Sequence, residues 1–359
     1  MRFIEEFRNR ELAQKLIRKI ERYDFPATFM EVCGTHTVSL FRFGIREMLP
    51  KRIKIISGPG CPVCVTSQQD IERALTLASL PNTIFLTFGD MMKVPAKTGS
   101  LEKKRAEGAD IRVVYSPLDA LKIAKENPTK LTVFLAVGFE TTAPGVASAI
   151  LRAKEEGINN FKVLSLHKLI PPAMRAILDM GEINIQGFIC PGHVSTIIGA
   201  KAYRFIPEEY GIPCVIAGFE PLDILQSIYM LMDMLENKRA DVEIQYKRVV
   251  SEEGNPRALE IMERVFEPKD AVWRGLGYLP GTALGLKDEF AEYDAENLLE
   301  GLDIPVAQEN PRCLCGEVIR GVKEPEDCPL YKISCTPLHP IGPCMVSSEG
   351  TCAAHYKYS

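Results

Sequence analysis

The chain has 359 residues, 46% hydrophobic and 25% charged, which suits a globular protein of two or three domains. A net charge of −4 and the lack of a basic stretch exclude an electrostatic nucleic-acid binder. No apolar run reaches the roughly 20 residues that cross a bilayer, and the N-terminus lacks the apolar stretch of a signal peptide, so no membrane association is expected and the expected location is cytoplasmic.

Phe7, Leu12, Leu16, Ile17 and Ile20 recur at helical spacing and predict an amphipathic helix over 5–22, within an N-terminal segment 1–26 that packs on the body. After Pro26, short apolar runs alternate with helical segments. Strands are expected at 28–32, 53–56, 83–87, 111–115, 131–137, 162–166, 185–189 and 213–217. Helices fit near 37–49, 67–79, 117–126, 143–156, 171–180, 195–203 and 221–236. This alternation predicts an α/β protein with two open parallel-sheet domains, 27–125 and 126–237, followed by a C-terminal domain over 238–359. In the last domain, 259–266 reads as a helix. Residues 311–359 hold too few periodic apolar positions for a core of their own and need a staple or a neighbouring surface.

Polar, glycine-containing peptides follow the strands: Met30-Glu-Val-Cys33-Gly, Ser57-Gly-Pro-Gly-Cys61, Phe88-Gly-Asp90, Gly138-Phe-Glu140-Thr-Thr, Cys190-Pro-Gly-His193 and Gly218-Phe-Glu220-Pro. Ligands of open α/β sheets bind beyond the carboxyl ends of the strands, so these peptides are expected to converge on one cleft.

Six of the eleven cysteines, Cys313, Cys315, Cys328, Cys335, Cys344 and Cys352, fall in the last 47 residues. In a reducing compartment such a set reads as metal ligands more readily than as disulfides. Spacing alone leaves a disulfide framework, a zinc site and an iron–sulfur cluster open, because neither zinc-ribbon nor ferredoxin spacings are present. Upstream, Cys33-Gly34-Thr35-His36-Thr37 falls where a strand gives way to a helix. The helix N-terminus is expected to lower the thiol pKa, and His36 to serve whatever binds at Cys33. The plain alternative is a buried, inert thiol beside a capping threonine. Cys61-Pro-Val-Cys64 suits a dithiol/disulfide couple or two ligands on one metal, and Gly58-Pro-Gly60 lets the backbone approach closely. Asp90 either orients a ligand or caps a turn. Glu140 is a candidate substrate binder, while Thr142 is a natural N-cap for the next helix. His193 is a base or a turn residue. Cys190 and Cys214 read as core packing, and His167, His339, His355 and Trp273 carry no signal. There is no P-loop and no dinucleotide fingerprint.

These peptides, together with Met345-Val-Ser-Ser-Glu-Gly-Thr-Cys352-Ala-Ala, occur in an order that resembles the HypD family of [NiFe]-hydrogenase maturation factors, from about residue 27 to the C-terminus. The resemblance implies two α/β domains plus a cysteine-rich iron–sulfur domain formed by the C-terminal region with the N-terminal helix. It implies an assembly scaffold rather than a stand-alone enzyme. With HypC, and with HypE carrying a thiocyanate, such a scaffold builds the Fe(CN)2CO group. It makes Cys33 an iron ligand and Cys61/Cys64 the neighbouring redox pair, with Cys64 close to the iron. His36, Asp90 and Glu140 would line the same cleft, and Glu349 would sit near the cluster. Cys315, Cys328, Cys335 and Cys352 would hold a [4Fe–4S] cluster, leaving Cys313 and Cys344 as extras. Thiolates suit low-spin iron carrying cyanide and CO. The alternatives are an iron–sulfur-dependent thiol/disulfide reductase without iron at Cys33, and a zinc-stapled binding module.

Overall fold

The computed structural model describes residues 5–359, so the first four residues of the expected N-terminal segment lie outside the described part. All eight expected strands form: β1 (Ala27–Glu31), β2 (Ile53–Ser57), β3 (Thr83–Thr87), β4 (Asp110–Val113), β5 (Leu131–Ala136), β6 (Phe161–Ser165), β7 (Gly187–Pro191) and β8 (Cys214–Ala217). A short edge strand, β9 (Val242–Ile244), follows them. They make two parallel sheets, ordered β2-β1-β7-β8-β9 and β4-β3-β5-β6. Every residue of β3, β7 and β8 is buried. Helices covering both faces explain why these strands read as continuous apolar runs rather than as an alternation.

Sheet membership corrects the expected division at 125/126. β1 pairs with β7, Phe29 opposite Gly187, while β3 pairs with β5, Thr83 opposite Leu131. The chain thus begins the five-stranded sheet, leaves it after β2 to build the whole four-stranded sheet, and returns to complete the first. An apolar run reports that a strand is buried and is silent on which strand lies beside it.

The N-terminal segment is a short 3-10 turn, Glu5–Arg8, and a helix, Arg10–Ile20, that Asn9 caps by accepting from Leu12 N–H at 3.1 Å. Its apolar side joins Leu40, Ile224 and Ile228 in one core, and Arg8 pairs with Glu220 at the start of the long helix Pro221–Glu236. The helix expected over 259–266 spans Pro256–Val265 and is followed by an antiparallel hairpin absent from the sequence reading, β10 (Phe266–Trp273) and β11 (Gly277–Leu286). β10 carries Pro268, has a register shift between Lys269 and Ala271, and is mostly solvent-facing in its middle. Such an edge ribbon gives little alternation to detect. Its end is nonetheless anchored: Trp273 is fully buried and donates from Nε1 to Thr282 Oγ1 at 2.8 Å, and Arg274 N–H reaches Val65 O at 2.9 Å.

Residues 311–359 form only short helices, Cys315–Ile319, Pro343–Val346 and Thr351–Tyr358, and a 3-10 turn, Pro325–Asp327. As expected, they lean on a neighbouring surface. Val318, Ile319, Leu330 and Met345 share a core with Met30, Ile56 and Val63–Val65. His355 packs edge-on to Phe41 at 5.0 Å, and Arg46 pairs with Glu324 at 2.9 Å. Among the described residues no helix is long and apolar enough to cross a membrane.

Candidate functional site

The carboxyl ends of β1, β3, β5 and β7 and the loop after β2 face one cleft of about 260 Å³. Cys33, Thr35, Gly60, Asp90, Thr142 and His193 line it, and the tail contributes Glu349. This is the convergence expected of parallel sheets.

Cys33 is the last extended residue before the helix Gly34–Arg42. Its backbone N–H donates to Glu31 Oε2 at 2.9 Å, and the Thr37 hydroxyl donates to the other Glu31 oxygen. Gly34 N–H meets Gly60 O at 3.0 Å, and a Cβ on Gly60 would stand 2.1 Å from Cys33 N. Glycine at position 60 is therefore what brings the two thiol peptides together. Thr35 Oγ1 donates to Glu349 Oε1 at 2.6 Å, joining the tail to the first turn of this helix.

The expected lowering of the Cys33 pKa is overturned. Burial, reinforced by the nearby Glu349 and Glu31 carboxylates, pushes the thiol up to about 12. The backbone N–H groups of Thr35 and His36 pull the other way without prevailing. Desolvation of a buried thiolate outweighs the helix terminus here. A bound cation would invert this balance, since a coordinating thiol is deprotonated. Glu31, fully buried, is pushed up to about 7 by the same desolvation.

Cys61 and Cys64 form a disulfide, with Cα atoms 5.3 Å apart, around the short helix Pro62–Val65. One side of this turn, at Pro62 and Val63, faces the cleft. The other faces a narrow gap of about 10 Å³ shared with Cys344, Thr351 and Glu349. The pair thus stands between the cleft and the cysteine-rich tail.

Two expected lining residues do not reach the cleft. His36 is fully buried: Nε2 bonds to Gly218 O at 3.0 Å and Ala217 O at 3.3 Å, and burial pushes its pKa down to about 4. Its ring stacks on Phe219 at 4.7 Å, and His193 stacks on Phe219 at 4.0 Å. His36 therefore backs the cleft wall, and His193 presents the imidazole. Glu140 turns inward, where Oε1 accepts from Ile170 N–H at 2.9 Å and Oε2 is buried without a partner. Burial pushes this carboxyl up to about 7. Asp90 does line the cleft, from an exposed position on its rim, with its pKa raised by desolvation. Thr142 starts its helix without a side-chain cap; its hydroxyl donates to Phe139 O at 3.3 Å and lies 3.2 Å from His167 Nε2. Sequence reasoning missed Glu31, Phe219 and His167. For Glu31 a signal was present: a carboxylate at the end of an otherwise apolar strand.

In the tail, the thiols of Cys313, Cys315, Cys344 and Cys352 are close enough to shift one another's pKa, Cys313 with Cys315, Cys315 with Cys344 and Cys344 with Cys352. Cys352 N–H also donates to Cys344 Sγ at 3.2 Å, Ile341 N–H reaches Cys335 Sγ at 3.3 Å, and Cys328 Sγ faces Arg312 O at 3.8 Å. Of the four expected cluster ligands, Cys315 and Cys352 meet through Cys344, while Cys328 and Cys335 are buried nearby in the same core. Among the described residues, no three His, Cys, Asp or Glu side chains are already arranged around a metal position. The donors themselves are crowded, buried and all sulfur, a set that suits an iron–sulfur group.

These features define a parallel-sheet α/β protein whose strand ends carry a thiol cleft backed by a cysteine-rich tail. The family described as "HypD: Hydrogenase formation hypA family" matches residues 9–359. The chain is 48% identical to "Hydrogenase maturation factor HypD2" of Bradyrhizobium diazoefficiens, over 100% of this chain and 97% of that protein. It is 47% identical to "Hydrogenase maturation factor HypD" of Cupriavidus necator (100% and 97% covered) and 42% identical to that of Escherichia coli (100% and 98%). The chain belongs to the HypD family of hydrogenase maturation factors.

Proposed function

We propose that this protein is the scaffold on which the Fe(CN)2CO group of [NiFe]-hydrogenase is assembled, working with HypC and with HypE carrying a thiocyanate. The observation that carries the reading is the convergence of Cys33, the Cys61/Cys64 turn and the rim carboxylates on one cleft. Iron is the cargo, held by the Cys33 thiolate and a partner's ligand, with Cys64 close by. Glu31 and Gly60 fix the Cys33 backbone, and Asp90 and His193 offer polar groups toward the cyanide-bearing substrate.

Release of cyanide from a thiocyanate is a two-electron reduction. With Cys61 and Cys64 reduced, R–SCN plus two thiols gives R–SH, HCN and the Cys61–Cys64 disulfide. The S–CN bond breaks, the S–S bond forms, and the two thiol protons pass to the released thiol and cyanide. The disulfide in the structure is the oxidised member of that couple.

Cys315, Cys328, Cys335 and Cys352 would hold a [4Fe–4S] cluster, with Cys313 and Cys344 in contact with the set. Such a cluster supplies one-electron exchange when bound.

Infrared spectroscopy of the anaerobically purified complex with HypC tests the reading. Cyanide and CO stretches are expected in the wild type and lost in Cys33→Ser. Bands of equal intensity in the variant defeat the assignment of Cys33. A colourless preparation with one zinc per chain defeats the iron–sulfur assignment of the tail.

A further inference from the structure

The turn that follows β10 places a buried cation, Arg274, between the disulfide turn and the cysteine-rich tail. Arg274 is 5% exposed. On one side its backbone N–H donates to Val65 O at 2.9 Å and its Nε donates to Thr66 O at 3.3 Å, directly after Cys64. On the other side its neighbour Gly275 packs on Gly316, the residue after Cys315. A Cβ on Gly275 would stand 2.6 Å from Gly316 O, and a φ of +81° there also calls for glycine. Arg320 Nη1 closes this contact by donating to Gly275 O at 2.8 Å.

The guanidinium is incompletely used by the protein. Nη1 pairs with Glu309 Oε1 at 2.9 Å and Nε is taken by Thr66 O, but Nη2 is buried and has no partner among the described residues. A buried N–H without an acceptor costs its full desolvation, and native structures keep few of them without a ligand or a function. The paired carboxylate is also poorly placed to cancel the charge. Glu309 is 46% exposed and screened by solvent, whereas Arg274 is enclosed. The charge reaches the tail sulfurs. The Cys313 pKa, raised chiefly by Cys315, is pulled the other way by Arg274, and Cys315 feels the same pull. These two sulfurs approach each other across Gly342, where a Cβ would stand 2.9 Å from Cys313 Sγ and 3.7 Å from Cys315 Sγ.

We propose that Arg274 sets the reduction potential of the group held by the tail cysteines, donating from its unpaired Nη2 to a sulfur at the Cys315 end of that group. The proposal rests on the iron–sulfur reading of the tail given above. Iron and sulfide held by four thiolates form an anionic unit. Its reduction adds one electron, breaks no bond and makes the unit more negative. A buried cation and a hydrogen bond to sulfur stabilise the reduced form more than the oxidised one, and both are among the quantities that set such potentials. Arginine suits the task because it keeps its charge at every working pH and offers donors in a fixed plane. Its Nε and backbone N–H anchor that plane to the disulfide turn, so the guanidinium is held in place before the tail is loaded.

The test is an anaerobic redox titration of the purified full-length protein, followed by visible absorption and by electron paramagnetic resonance of the reduced form. Iron and sulfide are counted in every sample. Arg274→Gln is expected to lower the ratio of reduced to oxidised group at a fixed potential about tenfold, which for a one-electron couple is about 59 mV. Arg274→Lys keeps the charge and loses the planar donors, and is expected to fall between Arg274→Gln and the wild type. Glu309→Gln removes the opposing charge from the exposed side and is expected to shift the ratio about threefold the other way. Opposite signs in Arg274→Gln and Glu309→Gln cannot come from loosened packing. An unshifted potential in Arg274→Gln at full iron and sulfide content overturns the proposal, as does a fall in Glu309→Gln. Should Arg274→Gln not fold, Glu309→Gln decides alone, and an unchanged potential there overturns the proposal. A wild type without iron and sulfide defeats the iron–sulfur reading and the proposal with it, whereas a loaded wild type with unshifted variants defeats the proposal alone.

Discussion

At Cys33 two influences compete on one sulfur. The first turn of the following helix offers N–H groups to a thiolate, while full burial beside Glu31 and Glu349 disfavours the charge, and burial wins. The position suits a group that keeps its proton until a cation arrives. Glycine 60 makes this placement possible, because any side chain there would collide with the Cys33 backbone. Gly60→Ala is expected to cost about 3 kcal/mol or more, the upper part of the overpacking range, as measured by denaturant unfolding. Glu140 gives a pH signature. Its pKa stands near 7 in the folded state against an ordinary 4.5. Between those values the native protein keeps a proton that the unfolded chain has released, so the contribution is full below about 4.5 and is lost as pH rises through about 7. Glu140→Gln removes this loss. The variant is expected to exceed the wild type at pH 8 by on the order of 3 kcal/mol, with the two curves converging toward pH 4.5. Parallel curves across that window would refute the assignment.

The hairpin of β10 and β11 has a weak sequence signal and a strong structural role. Its end brings Trp273 under the Thr66 backbone, and Arg274 N–H ties it to Val65, the last residue of the disulfide turn. Trp273 also stacks on Phe139 at 6.3 Å, so the hairpin touches the cleft wall from behind. Trp273→Ala is expected to cost about 3 to 5 kcal/mol, read by circular dichroism because the chain has no other tryptophan. Trp273→Phe keeps most of the packing and loses the bond to Thr282, for about 1 kcal/mol. Equal losses for both variants would mean that the hydrogen bond rather than the packing holds the hairpin. The helices, by contrast, carry their boundaries in the sequence. Ser67, Ser100, Ser116 and Asn255 each accept an N–H at a helix start, and proline follows directly at 117 and 256.

The tail has no sheet, no long helix and no separate core, and it is held by the first sheet's surface and by the Thr35–Glu349 hydrogen bond. Its buried thiols crowd against one another. An inorganic group bound to them would add cross-links that the polypeptide lacks. Removing that group anaerobically is expected to lower the Tm by about 5 °C or more, a contribution of a few kcal/mol in a chain of this size, and to make 311–359 the first region cut by protease. An unchanged Tm with an intact tail would show that packing alone suffices. The same contacts couple distant parts of the chain, since Glu349 lies 314 residues from the threonine it binds.

The sequence by itself determined the eight principal strands, most helices between them (the helix Leu101–Ala106 excepted), the gathering of strand-end peptides at one cleft and the identity of the thiols. These follow from local quantities: apolar spacing, capping residues and the rule that parallel strands present their carboxyl ends together. Only the tertiary structure decided that β1 and β2 complete a sheet with β7 to β9, that His36 backs Phe219, that Glu140 turns inward and that Thr142 meets His167. It also decided the protonation of Cys33, because that depends on desolvation and on carboxylates brought from elsewhere in the chain. Periodicity records whether a side chain is buried. What it is buried against depends on which elements pack together, and no local spacing encodes that.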